Sequence, residues 1–260
     1  MKKAGSVIIF FLAFVMSGCG QSSQDTPKAN VSEPGSSPVG STTKKMDPAT
    51  VSTIKGKVTF EGQAPAPKEI LIRGNPECSV FHKEGKILSE ELVAENDGLR
   101  NVFVYIKEGL EGYQFDPPSE PVTISNKSCV YTPHVSGAQA GQPVALLNED
   151  NTLHNVHTYS KNNRPFNLGF PFQGMKQTKK FDAAEIMVTL KCDVHPWMIG
   201  YLGVVSHPCF AVSGPDGSFE LKNLPPGEYT IEAWHEKLGV QSQKIKIGPQ
   251  ETKEIQFRFS

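Results

Sequence analysis

The sequence predicts an all-β protein of the sandwich type, on two observations. Short runs rich in Val, Ile, Phe, Tyr and Thr alternate with clusters of Gly, Pro, Asn and Asp, as in strands joined by turns. Helical periodicity is nearly absent, and only residues 89–95 suggest a turn or two of helix. The clearest strand predictions, in chain order, are 54–60, 101–106, 144–147, 153–159, 186–191 and 201–205.

The chain begins with an export signal. Lys2 and Lys3 precede an apolar run over 7–15, which is too short to span a membrane comfortably. The run ends in M-S-G-C, which resembles the lipobox of bacterial lipoproteins, so the resemblance implies that residues 1–19 are a lipoprotein signal and that Cys19 is lipidated. An ordinary secretory signal with a chance cysteine is the alternative. Both place the protein outside the cytoplasm, in the periplasm or at the cell surface.

Residues 20–52 are predicted to be a disordered linker. The segment is composed mainly of Ser, Thr, Pro, Gly, Gln and Lys, and it has too few large apolar residues to offset the entropy of ordering. With Cys19 lipidated, this linker would tether a globular part to a membrane surface.

Residues 53–260 are long enough for one large or two small domains. The formal net charge of the chain is −1, so no field for binding nucleic acid is expected. The sequence shows no Ser-His-Asp, paired-carboxylate or phosphate-loop arrangement, which leaves hydrolytic and nucleotide chemistry without support. We therefore expect a protein that is not an enzyme and has no small-molecule substrate.

The most informative motif is C-D-V-H-P-W-M over 192–198, which places Cys192, His195 and Met198 in one short loop. A thiolate, an imidazole and a thioether together favour copper, and a second imidazole would complete the donor set of a blue-copper electron-transfer site. His154, in the strand-like run 153–159, supplies that imidazole.

These residues resemble the cupredoxins, and most closely the amicyanin and plastocyanin groups. The resemblance implies a Greek-key β-sandwich over 98–205, with copper held by His154, Cys192 and His195 and by Met198 as the axial ligand. It also implies that Asn155 braces the cysteine loop by hydrogen bonding. His157 lies on the same strand face as His154, so it could reach a metal, but edge packing is its expected role.

Other metals and functions stay open at this point. A Cys-x-x-His pair could be half of a structural zinc site, although a second Cys/His pair is missing and Met is a poor zinc ligand. A copper enzyme would need an open coordination position. Met198, at the spacing expected of an axial ligand, would occupy that position. A copper-delivery lipoprotein, or a structural interaction lipoprotein, is the alternative to electron transfer.

The C-terminal part carries a second resemblance. The segments S-G-P-D-G-S-F-E-L over 213–221 and L-P-P-G-E-Y-T over 224–230 resemble the carboxypeptidase regulatory-like, transthyretin-like β-sandwich, a module that is usually non-catalytic. We therefore predict this domain over 206–260. Its usual first strand matches only residues 54–60, so 53–97 could belong to the same sandwich, with the copper domain inserted; two consecutive domains are the alternative.

The remaining cysteines suggest one disulfide. An exported protein lies in an oxidising compartment, where disulfides form. With Cys19 assigned to the lipid and Cys192 to copper, three cysteines remain for a disulfide: Cys78, Cys129 and Cys209. We favour the pair Cys78 and Cys129, which lie in polar segments, and expect Cys209 to be a buried free thiol.

The cupredoxin resemblance implies a function and a partner. The protein would carry single electrons between redox proteins such as a cytochrome or an oxidoreductase. His195 would mark the electron entry route, next to a docking patch formed by Pro196, Trp197 and Ile199. For His134, His207 and His235 structural roles are expected.

Overall fold

The computed structural model describes residues 44–72 and 74–260, and for Lys83 the backbone alone. The predicted signal peptide, Cys19 and residues 20–43 of the predicted linker lie outside the described residues. Within them, no helix is both long enough and apolar enough to cross a membrane.

The protein is nearly all β, as predicted. Its strands are β1 Ser52–Phe60, β2 Glu69–Leu71, β3 Lys86–Leu88, β4 Ala94–Glu95, β5 Gly98–Leu99, β6 Phe103–Glu108, β7 Val122–Lys127, β8 Val130–Thr132, β9 Val135–Gln139, β10 Pro143–Asn148, β11 His154–Tyr159, β12 Asn167–Phe170, β13 Lys176–Lys180, β14 Glu185–Lys191, β15 Ile199–Val205, β16 Phe210–Val212, β17 Ser218–Leu224, β18 Gly227–His235, β19 Gly239–Ile247 and β20 Thr252–Phe259. A helix α1, Pro76–Ser79, and a 3₁₀ turn, Lys83–Gly85, lie between β2 and β3.

Strands β7–β15 form an inner sandwich. One of its sheets has the order β13-β10-β7-β8, and the other has the order β12-β11-β14-β15-β9. The core between them contains large side chains such as Tyr131, Phe170 and Leu190, together with Cys192 and Met198. Two of the predicted metal ligands, Cys192 and Met198, therefore lie within this core.

Strands from both ends of the described chain form an outer sandwich. β1 pairs in parallel with β20 and antiparallel with β17, and a second sheet has the order β16-β6-β18-β19. Gly56 is required in β1, because a Cβ there would come within 2.3 Å of the Phe219 ring. The pairing of 54–60 with strands after residue 209 is the one that an inserted inner sandwich requires. β1 also pairs with β5 through Thr59 and Gly98, so the predicted range 98–205 is not separate from this sheet at its start.

β6 follows residue 98, the predicted start of the copper domain, but it belongs to the outer sandwich. It pairs with β16 and β18 of the outer sandwich and not with the inner sheets. The reason lies in its run of four buried residues: Phe103 and Tyr105 pack at the junction with the inner sandwich, while Val104 and Ile106 enter the outer core. Together the two sandwiches belong to one compact unit.

Two local expectations were wrong. Residues 89–95, all of them described, contain no helix, and 94–95 form the short strand β4. The expected linker ends before residue 52, because Lys44 N donates to Gly112 O at 2.8 Å and the Gln250 side chain donates to Ala49 O at 2.8 Å. These bonds tie 44–50 to the outer sandwich.

Candidate metal centre

Three adjacent strands of one inner sheet position the predicted ligands. His154 is the first residue of β11, Cys192 directly follows β14, and His195 and Met198 lie in the loop that leads into β15. Two backbone bonds close this loop, from Met198 N to His195 O at 2.9 Å and from Cys192 N to Met198 O at 3.2 Å. The loop over 192–198 is thereby folded back toward β11, the strand that carries His154.

The loop brings three donor atoms together. His154 Nδ1 and His195 Nδ1 are 3.0 Å apart, and Cys192 Sγ lies 3.8 Å from His195 Nδ1. The three residues are at most 2% exposed and form one cluster whose donor atoms all lie within 4.8 Å of one another. Met198 is 1% exposed and belongs to the same core as Cys192. The donors thus face a shared, water-excluded point.

A buried carboxylate orients His154. Asp150 Oδ2 lies 2.9 Å from His154 Nε2, and the same carboxylate accepts backbone N–H bonds from Ser128 and Cys129 at 2.6 and 2.8 Å. Burial alone would raise the pKa of Asp150, but the bonds from His154 and these N–H groups outweigh it and hold the pKa below its usual value. Because Nε2 is directed to this carboxylate, Nδ1 is the ring nitrogen that faces the other ligand residues, 3.0 Å from His195 Nδ1.

The thiol of Cys192 is acidic. Burial raises its pKa, but hydrogen bonds from His154 and His195 and from backbone N–H groups outweigh burial and lower the pKa to about 6. The thiolate, which is the form that binds metals, is therefore the main form at neutral pH.

Asn155 braces the cysteine loop, the role that the cupredoxin resemblance implies. Its Oδ1 accepts the Asp193 backbone N–H at 2.7 Å, and its Nδ2 donates to Asp193 Oδ2 at 2.9 Å and to Asn167 Oδ1 at 2.7 Å. His157 Nδ1 also contacts Asp193, at 3.2 Å, and its side chain is one-third exposed. His157 is thus directed to the surface of the loop and not to the three donors.

His195, predicted to mark the electron entry route, does not reach the surface of the described structure. Its side chain is 0% exposed, because α1 covers it and places Glu77 Oε1 3.7 Å from His195 Nε2. Trp197 is half-buried, lies beside His195 with ring centroids 5.1 Å apart and ring planes tilted by 49°, and donates its Nε1–H to Cys129 O at 3.0 Å. Residues 61–97 match no family pattern, so this cover was not predicted.

The disulfide joins Cys78 of α1 to Cys129, the pair favoured from the sequence. It lies beside the donors, since sulfur atoms of both cysteines fall within 4.8 Å of a His195 nitrogen. Cys209 is a buried free cysteine in the outer core.

The remaining histidines make structural contacts. His207 Nε2 donates to Ile106 O at 2.8 Å, and His235 Nδ1 accepts backbone N–H bonds from Lys237 and Leu238. His134 pairs with Glu236 at the junction of the sandwiches.

Sequence reasoning missed two groups at the site, Asp150 and Glu77. For Asp150 a signal was available, because it lies in a polar turn four residues before His154. For Glu77 the indication was its position next to Cys78 in the favoured disulfide.

The donor chemistry fits copper. Two imidazoles, a thiolate of low pKa and a buried thioether in the same loop are the soft and borderline ligands that suit Cu(I) and Cu(II). A structural zinc site is usually closed by four Cys or His ligands, and this cluster contains three.

No family model matches the sequence, and no curated protein matches it. Solved structures that match include a copper-containing nitrite reductase from Thermus scotoductus SA-01, with 20% identity, 34% of this chain and 25% of that chain covered and a TM-score of 0.31. A purple cupredoxin from Nitrosopumilus maritimus is 22% identical, with 32% and 98% covered and a TM-score of 0.28. The Cu(I) form of an amicyanin mutant is 20% identical, with 32% and 81% covered and a TM-score of 0.29. At these TM-scores the likenesses do not establish a family.

Proposed function

We propose that this chain is a membrane-tethered, exported type 1 copper protein that carries single electrons between redox proteins. The observation that carries the proposal is the convergence of His154, Cys192 and His195 in a water-excluded cluster beside Met198. Copper bound there would supply a one-electron Cu(II)/Cu(I) couple.

The side chains of this chain would hold the Cu(II)/Cu(I) couple with ligands that are fixed in position and shielded from water. Asp150 fixes the His154 ring, and Asn155 fixes the loop that carries Cys192. Because both supports are themselves hydrogen bonded, the donors keep similar positions in the two oxidation states, which keeps the reorganisation on electron transfer small. Exclusion of water also limits ligand exchange.

The proposed membrane tether is a lipid attached near the amino terminus. The apolar run over 7–15 and the small residues before Cys19 support lipidation at that cysteine. A lipid chain on Cys19 would hold the copper domain near a membrane, where a cytochrome or another oxidoreductase could exchange electrons with it.

Copper storage or delivery is the second candidate. The complete burial of both imidazoles favours storage in particular, because it slows the release of a bound ion and lengthens the route for an electron from a docked partner. A role as a structural interaction lipoprotein would follow if the protein bound no metal.

Voltammetry on the copper-loaded fragment lacking residues 1–19 tests the proposal, together with stopped-flow exchange with a c-type cytochrome. A reversible one-electron wave and fast exchange without loss of copper are expected. Slow electron exchange combined with rapid transfer of Cu(I) to a competing chelator would instead support delivery.

A further inference from the structure

Residues 69–72 and 74–88 form a cap over one side of the candidate metal centre. The cap consists of the β2–β3 hairpin, with α1 and the 3₁₀ turn between its strands. Ile72, Cys78 and Ile87 anchor it, since all three are at most 5% exposed and lie in the inner core. His82 Nε2 also bonds to Ser128 O at 2.6 Å.

The disulfide joins this cap to the groups that support both histidines. Cys129, the partner of Cys78, donates its backbone N–H to Asp150, the carboxylate that holds His154. The carbonyl of Cys129 accepts the hydrogen bond from Trp197, whose ring lies beside that of His195. The position of the cap is therefore linked covalently to the walls of the metal centre.

His195 lacks a hydrogen-bond acceptor for its Nε2 atom, and the cap can supply one. Its Nε2 is buried and has no hydrogen-bond partner. An imidazole that binds a metal through Nδ1 carries its proton on Nε2, and a buried N–H needs an acceptor. Glu77 Oε1 lies 3.7 Å away, and the Glu77 side chain is 39% exposed, which leaves it room to approach.

We propose that the cap, latched by Cys78–Cys129, closes the metal centre and supplies Glu77 as the acceptor for the Nε2 proton of His195. This inference rests on the proposed copper site. With Asp150 on His154 and Glu77 on His195, each imidazole has its own carboxylate. A carboxylate on a ligating histidine raises the basicity of that ligand. Glu77 is thus a positioning residue that favours Cu(II) over Cu(I).

The first test measures the affinity for Cu(II) and for Cu(I) by chelator competition, in wild type and Glu77→Gln. The variant keeps an acceptor oxygen but removes the charge, and a charge-assisted bond is about twice as strong as a neutral one. We expect Cu(II) affinity to fall about tenfold, the lower end for outer-sphere partners of metal ligands, and Cu(I) affinity to fall less, so the reduction potential rises.

Glu84→Gln is the matched control, because Glu84 lies on the same cap with its side chain 75% exposed and paired with Lys86. This variant should leave the potential unchanged. An unchanged potential in Glu77→Gln, or an equal shift in both variants, would overturn the role of Glu77. If wild type bound no copper, the proposed function would fail and this role of Glu77 with it.

The second test needs no metal. It compares the rate at which iodoacetamide alkylates Cys192 in metal-free wild type and in Cys78→Ser/Cys129→Ser, with the modified site identified by peptide mass mapping. Cys192 is 2% exposed, so opening the latch should raise its rate at least about tenfold if the cap shields it.

Cys209, buried in the outer core, is the internal reference for general loosening. An equal rise at Cys192 and Cys209, or no rise at Cys192, would contradict the latch. If the double variant loses its β-sheet circular dichroism, wild type treated with a phosphine reductant under native conditions provides the same comparison. The cap is therefore tested even if copper does not bind.

Discussion

Replacing Asp150 with Asn should weaken both the metal centre and the fold around it. The carboxylate receives three donors: Ser128 N–H at Oδ1, and Cys129 N–H and His154 Nε2–H at Oδ2. An amide has a single acceptor oxygen. The less costly orientation keeps that oxygen toward Cys129 and His154 and leaves the Ser128 N–H facing an NH₂ group.

The cost follows from that one unmet bond and the lost charge. Leaving a buried donor unsatisfied costs about 1–3 kcal/mol, which is the expected decrease in the unfolding free energy of the metal-free protein. Loss of the charged partner of a ligating histidine should lower copper affinity about 10- to 100-fold, or about 1.4–2.7 kcal/mol.

Urea unfolding and chelator competition measure these two effects. Asp182→Asn is the control, because Asp182 is exposed. Equal copper affinities and equal unfolding free energies in Asp150→Asn and Asp182→Asn would rule out this role of Asp150.

Three further predictions concern the junction, a buried acid and the cysteine loop. Gly137→Ala places a Cβ 2.4 Å from the Phe210 ring and should lower the unfolding free energy by about 1–3 kcal/mol. Gly169→Ala is the control, because a Cβ there would meet no atom within 4 Å and should leave the unfolding free energy unchanged. Equal urea midpoints for the two variants would contradict this prediction. Burial raises the pKa of Glu185, but N–H bonds from the turn after β11 outweigh it and lower the pKa, so its contribution to stability is present above the ordinary Glu pKa and is lost as pH falls through the folded value. Glu185→Gln should therefore reduce the acid dependence of urea unfolding, and an unchanged dependence would count against this role. Asn155→Ala removes the brace of the cysteine loop and should lower copper affinity about 10- to 100-fold in the chelator assay; an affinity equal to that of wild type would show that the loop holds its shape without it.

Much of the candidate metal centre could be predicted because its chemistry is local in sequence. The motif over 192–198 contains three candidate ligands in one loop, and His154 lies in a strand with clear alternation. The disulfide pair was favoured from compartment and composition, and the structure contains it.

The cover over His195 could not be predicted, because β2 and β3 have three residues each and α1 has four. Elements of this length carry too little periodicity to be recognised, and they are held by packing and the disulfide. β6 was predicted as a strand, but its four consecutive buried residues do not indicate which sandwich it joins. Only the pairing with β16 and β18 assigns it.

The most direct test of a copper centre is the visible absorption and copper content of the fragment lacking residues 1–19, with Cys192→Ala beside it. We expect one copper per chain and an intense blue band from thiolate-to-copper charge transfer in the wild type, and no such band in the variant. A wild-type protein that is colourless, or that binds zinc alone, would contradict this expectation.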